Sequence, residues 1–287
     1  MRRAVASRWS APQELLDSLA HDPYREVRCA VASRPASPQA LRALAADPYR
    51  QVRREVAANP SAPPEVLAQL ASDDTEGAPV SDDPHLAGSR RWQASLSDFS
   101  EQAKESVRQR VARNPNTPAE VLAGMLGDRD PRVRSSASAQ LVWRKLMTAL
   151  EQAAPPGLVL VRRPLVRRDE WGVFVPDAAV VEQSEVPASR ADRLDPATVR
   201  LAVTIAWPWS PATPMTQPTT PDVTAGVHHL WRVEVEDGPV ISVLRLAGNA
   251  YLQVASARPG QPLALDEHFP TCLDPASLQP PAPGYDA

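Results

Sequence analysis

The sequence predicts an α+β chain of two domains: an N-terminal α-solenoid of short helix pairs, then a C-terminal, mainly-β domain with an antiparallel meander. Three observations carry this. First, a unit of about 25 residues is written twice between Asp22 and Asp74, and such a period marks repeats that bury their apolar faces only by stacking. Second, apolar residues recur at helical spacing up to residue 152 and at period two beyond residue 153. Third, Asp237-Gly238 and Gly248-Asn249 sit between alternating runs as hairpin turns. The domains are therefore residues 1–152, with an irregular insertion at 75–104, and residues 153–287, with a Pro-rich loop at 207–224 and a Pro-rich tail at 274–287.

Bulk properties set the bounds. A chain of 287 residues allows two domains of ordinary size, each with its own core. Its 32 prolines are about twice the usual share. The formal net charge of -3 gives no general pull towards nucleic acid or anionic lipid. Residues 1–150 carry net +3 and residues 151–287 net -6, an asymmetry that could let the halves attract each other. Cys29 and Cys272 are the only cysteines, too few for a four-ligand metal or iron–sulfur site or a disulfide framework. Cys29 lies on the apolar side of a repeat and reads as a buried, inert thiol. No apolar run reaches membrane-spanning length, and Met1-Arg2-Arg3 leads into repeat sequence and not into a signal peptide, so the cytoplasm is the default location. Lys occurs only at 104 and 145, and this Arg bias fits a GC-rich bacterial genome.

Taken in order, Arg3 to Arg8 already matches the second half of a unit, so Arg2 to Arg8 reads as a makeshift N-terminal cap. Asp22-Pro23 and Asp47-Pro48 pair an N-cap acceptor with a proline at the first helical position. The helices that follow carry Val27 and Val31, then Val52 and Val56, on one face, and stop near Arg34-Pro35 and Asn59-Pro60. Ser37-Pro38 starts a partner helix with Leu41 and Leu44, and Thr117-Pro118-Ala119-Glu120 does the same with a capping box. Residues 75–90 read as a surface loop, and Trp92 to Lys104 as an irregular helix standing in for a degenerate half-unit. The repeat resumes at Val107. A last copy runs from Asp130 to about Ala153 without a breaker and reads as the C-terminal cap.

The pattern Asp-Pro-x-x-x-Val-Arg-x-x-Val-Ala-x-Asn-Pro-x-x-Pro-x-x-Val-Leu-x-x-Leu-Ala, fullest at residues 47–71, resembles the leucine-rich repeat variant family of HEAT-like bacterial solenoids. That resemblance covers about half the chain and implies a right-handed superhelix of alternating short helices. One kind of member carries an N-terminal cysteine cluster holding an iron–sulfur centre. No such cluster stands here, so no redox role is implied.

In the second half, Leu158–Arg162 and Trp171–Val175 read as strands. Val199 to Trp207 alternates as a strand, although Asp195-Pro196 could start a helix there. Leu230 to Ser256 makes the three-stranded meander, and the tail from Asp274 reads as disordered or draped over the surface. Trp171, Trp207, Trp209 and Trp231 read as core, and His228 and His229 as surface or cross-strand residues without metal-ligand spacing.

The candidate partner-binding residues are the recurring arginines Arg25, Arg28, Arg50, Arg53, Arg108, Arg132 and Arg134. They could form a basic stripe for an acidic partner or a phosphate backbone. They could equally pair with the repeated Asp22, Asp47, Asp128 and Asp130 between units, and near-cancelling charge across the solenoid gives that second possibility more weight. Phosphate loops, nucleophile elbows and paired catalytic carboxylates are absent from the letters. The expectation is thus a non-enzymatic scaffold or adaptor that binds another protein on the solenoid surface, with no cofactor, metal or membrane. A nucleic-acid clamp using the Arg stripe is the alternative, followed by a small-molecule-binding or enzymatic C-terminal domain with the repeats as adaptor. On the scaffold expectation, reversing Arg28, Arg53 and Arg108 to Glu weakens partner capture and leaves helicity intact.

Overall fold

The computed structural model describes residues 12–74, 105–170, 172–186, 188–189, 192–206, 225–235, 238–265 and 271–282. The chain divides into two compact units at Ala137/Ser138. Among the described residues eight helices lead, and strands follow.

The first unit contains α1 (Gln13–Leu19), α2 (Arg25–Ala32), α3 (Pro38–Ala45), α4 (Arg50–Ala58), α5 (Pro64–Leu70), α6 (Val107–Arg113) and α7 (Ala119–Met125). Helices of seven to nine residues are too short to persist alone, so packing holds them. They stack in two rows: α2, α4 and α6 lie one on the next, and α1, α3 and α5 do likewise. Between the rows Val31, Leu41, Leu44, Val52, Val56, Val66, Leu67, Val111 and Leu122 are buried. The repeat valines and leucines are therefore the seam, as their spacing predicts.

Two start signals work differently from the sequence reading. Helix α2 begins at Arg25 and α4 at Arg50, two residues after the Asp-Pro pairs. Asp22 and Asp47 are not N-caps. Each instead accepts the backbone N–H two residues on, from Tyr24 and Tyr49, as an Asx turn. Ser37 does cap α3, accepting from Ala40 N–H with Pro38 next in line. Thr117 does not form the expected capping box. It is fully buried, and its hydroxyl donates back to the Val111 carbonyl at 2.6 Å.

The half-unit proposed for Trp92 to Lys104, the N-terminal cap at Arg2 to Arg8 and the Pro-rich loop 207–224 lie outside the described residues. The units on either side of residues 75–104 nevertheless pack directly on each other, α4 against α6. Asn59 Nδ2 donates to the Ala32 and Arg34 carbonyls, and Asn114 Nδ2 repeats the bond to Ala57 and Asn59, both at 2.8 Å. The step from α2 to α4 thus recurs from α4 to α6.

Helix α8 (Pro131–Ala153) opens in the first unit, but from Ser138 it belongs to the second. Its Val142, Leu146, Met147 and Leu150 bury against Val180, Leu201, Val203, Trp231 and Ile241. The helix is therefore more than the solenoid's cap, and the boundary read at residue 152 falls inside the second core. A single helical period cannot show that a helix serves one core at its start and another at its end.

The second unit is built on a six-stranded sheet ordered β1 (Leu158–Arg162), β4 (Ala178–Glu182), β6 (Val199–Ala206), β7 (His229–Glu234), β8 (Val240–Ala247) and β9 (Ala250–Ala257). Pairings are antiparallel except β6 with β7, which run parallel. Val203, Trp231 and Val243 are register partners on the α8 side. Ala202 and Leu230 face the other way. There β2 (Leu165–Arg167), β3 (Val173–Phe174) and β5 (Arg193–Leu194) form a small sheet that buries Val166, Phe174 and Leu194. β10 (Leu263–Leu265) and β11 (Thr271–Leu273) pair as a ribbon.

The meander at β7 to β9 stands as predicted, and Gly248 turns it with φ 63°, where a side chain would be strained. Both readings of Asp195-Pro196 have some truth: Asp195 caps a single 3-10 turn, Pro196–Thr198, and strand β6 begins at once. The tail is not simply draped. Pro275–Leu278 is a 3-10 turn, and Leu278 is buried in the sheet core.

The split of α8 predicts that a fragment of residues 138–282 melts cooperatively with its tryptophan fluorescence, whereas one of residues 153–282 does not. Equal folding of both fragments would show that the second half of α8 is dispensable. In the full chain, Leu146→Ala costs about 2–5 kcal/mol in urea unfolding of the sheet unit.

Candidate interaction surface

The repeated arginines have unequal roles. Arg28, Arg53 and Arg108 form a ladder. Arg28 grips Asp47 of the next unit with Nε at 2.5 Å and Nη2 at 3.2 Å. Its Nη1 donates to the Asp22 and Pro23 carbonyls at 2.7 and 3.2 Å. Arg53 repeats this with Asp73 at 2.7 and 3.4 Å, and with the Asp47 and Pro48 carbonyls at 2.6 and 3.2 Å. Arg108 does the same with Asp128 at 2.9 and 3.4 Å, and its Nη1 reaches the Asp73 carbonyl and Asp74. Each rung spans 19 or 20 residues of sequence and joins one unit to the next.

These pairs are mostly shielded from water, with Arg53 and Asp73 side chains only 11% and 6% exposed. The bidentate bond to Asp47, ahead of the cost of burial, raises the Arg28 guanidinium above its ordinary value. Arg28, Arg53 and Arg108 therefore serve the fold. Reversing them to Glu would set carboxylate against carboxylate inside the stack, so the expectation of intact helicity is corrected here. The partners differ in detail as well: Asp73 is a rung that the repeat letters did not mark, and Asp130 is not one. The Arg-to-Asp spacing of 19 or 20 is the signal that finds them.

Arg25 and Arg50 stand outside the ladder. Arg25 is buried beside Glu26, and both Arg25 and Arg28 lie over the Tyr49 ring at 5.4 and 5.6 Å. Half-buried Arg50 points Nη2 at the Glu105 carbonyl. Three arginines outside the expected set join them: Arg54, Arg110 and Arg113, the last two paired with Glu105. Burial lowers the Arg54 and Arg113 guanidiniums, with neighbouring Arg110 adding repulsion to both.

Arg132 and Arg134, by contrast, are exposed where the ladder ends. Arg129 stands beside them, 66% exposed and paired with Asp74. The structure thus separates seven candidates into three closed rungs, two shielded side chains and an exposed pair. Among the described residues no group of three or more His, Cys, Asp or Glu converges as a metal site. No described helix is long and apolar enough to cross a membrane. Cys29 is half-buried, and burial, with the nearby Glu55 adding to it, pushes its thiol up to about 12.

Stacked helix pairs with a recurring inter-unit bond define a helical-repeat protein. More particularly, residues 50–74 match the family model described as leucine rich repeat variant. No curated protein matches the chain.

The ladder predicts that Arg53→Ala, by stranding Asp73, lowers stability by about 3 kcal/mol in urea unfolding followed at 222 nm. Arg42→Ala, which removes the exposed pair with Glu65, costs under about 1 kcal/mol. Cys29 should resist iodoacetamide at pH 8 while exposed Cys272 reacts, as mass spectrometry would read. Because the folded thiol titrates near 12, Cys29 favours folding below the unfolded thiol value of about 8.5 and loses that contribution as pH rises through 12.

Proposed function

We propose that the protein is a non-catalytic docking scaffold of the bacterial cytoplasm that holds another protein on the exposed surface of its helical unit. The observation that carries this is the match of residues 50–74 to a helical-repeat family, within a stack whose polar rungs close internally. Such a stack offers an extended, stiff surface without a deep pocket, and anchors on it would supply the affinity.

The nucleic-acid reading has less support, because Arg28, Arg53 and Arg108 already hold carboxylates and are not available to phosphates. For a ligand site in the second unit, the described residues offer a shallow depression at Pro156, Gly157, Leu158, Glu182, Gln183 and Ser184.

Cross-linking mass spectrometry on the full chain in host extract tests the proposal. Cross-links from one partner should concentrate on exposed residues of α1 to α7 and their loops. Cross-links confined to residues 158–282, or salt-sensitive retention of the chain on DNA with no protein partner, would overturn it.

A further inference from the structure

Among the described residues four arginines stand at the same repeat position, and three have their carboxylate. Arg134 is the fourth. Its Nη1 donates to the Asp128 and Arg129 carbonyls at 2.7 and 3.1 Å, as Arg28 does to Asp22 and Pro23 and Arg53 to Asp47 and Pro48. In the closed rungs Nε and Nη2 then take the aspartate of the following unit. No unit follows Arg134, and no carboxylate lies within ion-pair reach of its fork among the described residues. Its side chain is exposed, where Arg28 and Arg108 are 11% and 4% exposed.

We propose that Arg134 is a recognition point for a protein partner, taking an aspartate carboxylate from a loop of that partner into the open fork. This rests on the docking function proposed above and names where one contact of it falls. The local charge favours an acid. At this end of the ladder Arg108, Arg129, Arg132 and Arg134 stand against Asp74, Asp128 and Asp130, one positive charge in excess, with Asp74 and Asp128 already paired to Arg129 and Arg108. The geometry favours a carboxylate over a lone charge. Nη1 is already fixed by two carbonyls, so the two remaining donors are presented side by side to a planar, two-oxygen acceptor. That fixation lowers the ordering cost of binding. The closed rungs also describe the acid. Asp47 and Asp128 each sit in a turn in which the backbone N–H two residues on folds back to the carboxylate, Tyr49 N and Asp130 N at 2.9 and 2.8 Å. The partner group is therefore an aspartate in an Asx turn at the edge of a helix.

The probe is a peptide copying residues 44–58 of this chain, which carries the Asp47-Pro48-Tyr49 turn, titrated into the full-length protein. The readout is the Nε–Hε signal of Arg134, assigned by its loss in Arg134→Lys. The wild-type peptide should shift this signal saturably, and a peptide with Asp47→Asn should bind about fivefold more weakly. Arg134→Lys keeps the charge and lacks the fork, so by titration calorimetry, which reads both proteins, it should weaken the wild-type peptide by a similar factor with unchanged melting temperature. Equal binding of both peptides, unaltered binding to Arg134→Lys, or a shift produced by inorganic phosphate but not by the peptide would overturn the proposal. Peptide binding without helical-unit cross-links in extract would retain the open rung and reject the docking function; the reverse would retain docking and remove Arg134.

Discussion

One ion pair, repeated, sets the terms for the helical unit. Its helices are seven to nine residues long, below the length at which a helix persists in water. Apolar packing supplies most of the stabilisation, and interdigitated side chains already constrain how one unit sits on the next. The Arg–Asp rungs add a directional bond between units. Each guanidinium ties its own loop through two backbone acceptors and the next unit through a bidentate carboxylate, so the spacing of units follows from the reach of one side chain. Asn59 and Asn114 do the same from the other end of the helix, satisfying carbonyls of the preceding unit. Charge and amide ladders thus reinforce the register of the apolar seam.

The same bonds explain why a basic stripe in the letters is not a basic stripe on the surface. A buried ion pair holds little net stability, yet losing one partner is costly because the other charge is left stranded. Arginines in that situation are constrained by the fold and cannot be lent to a ligand. Function has to use what the ladder leaves over, and among the described residues that is Arg134 at its end.

Legibility followed the range of the interaction. The valine and leucine seam was readable because helical period is a local property, and Val52, Val56 and Leu67 are indeed fully buried. The meander was readable because each turn lies between the strands it joins. Strand β4 was not, since Ala178–Glu182 is apolar on both faces and lacks the alternation that marks a half-buried strand. The parallel pairing of β6 with β7 was missed for a related reason: a parallel partner arrives by a crossover and leaves no turn signature. Asp-Pro misled in another way. An aspartate before a proline suits both an N-cap and an Asx turn, and the arginine that takes its carboxylate from the neighbouring unit decides between them.

By itself, the sequence determined that the first half is a stack of paired short helices and the second half largely strand, because hydrophobic period and turn chemistry act within a few residues. It also determined which arginines recur. Only the tertiary structure decided that Arg28, Arg53 and Arg108 are closed and Arg134 open, that α8 is shared between two units, and that Leu278 belongs to a core. The reason is that a guanidinium has the same letter whether its fork is filled or empty. Filling depends on a carboxylate 19 or 20 residues away being folded back to meet it.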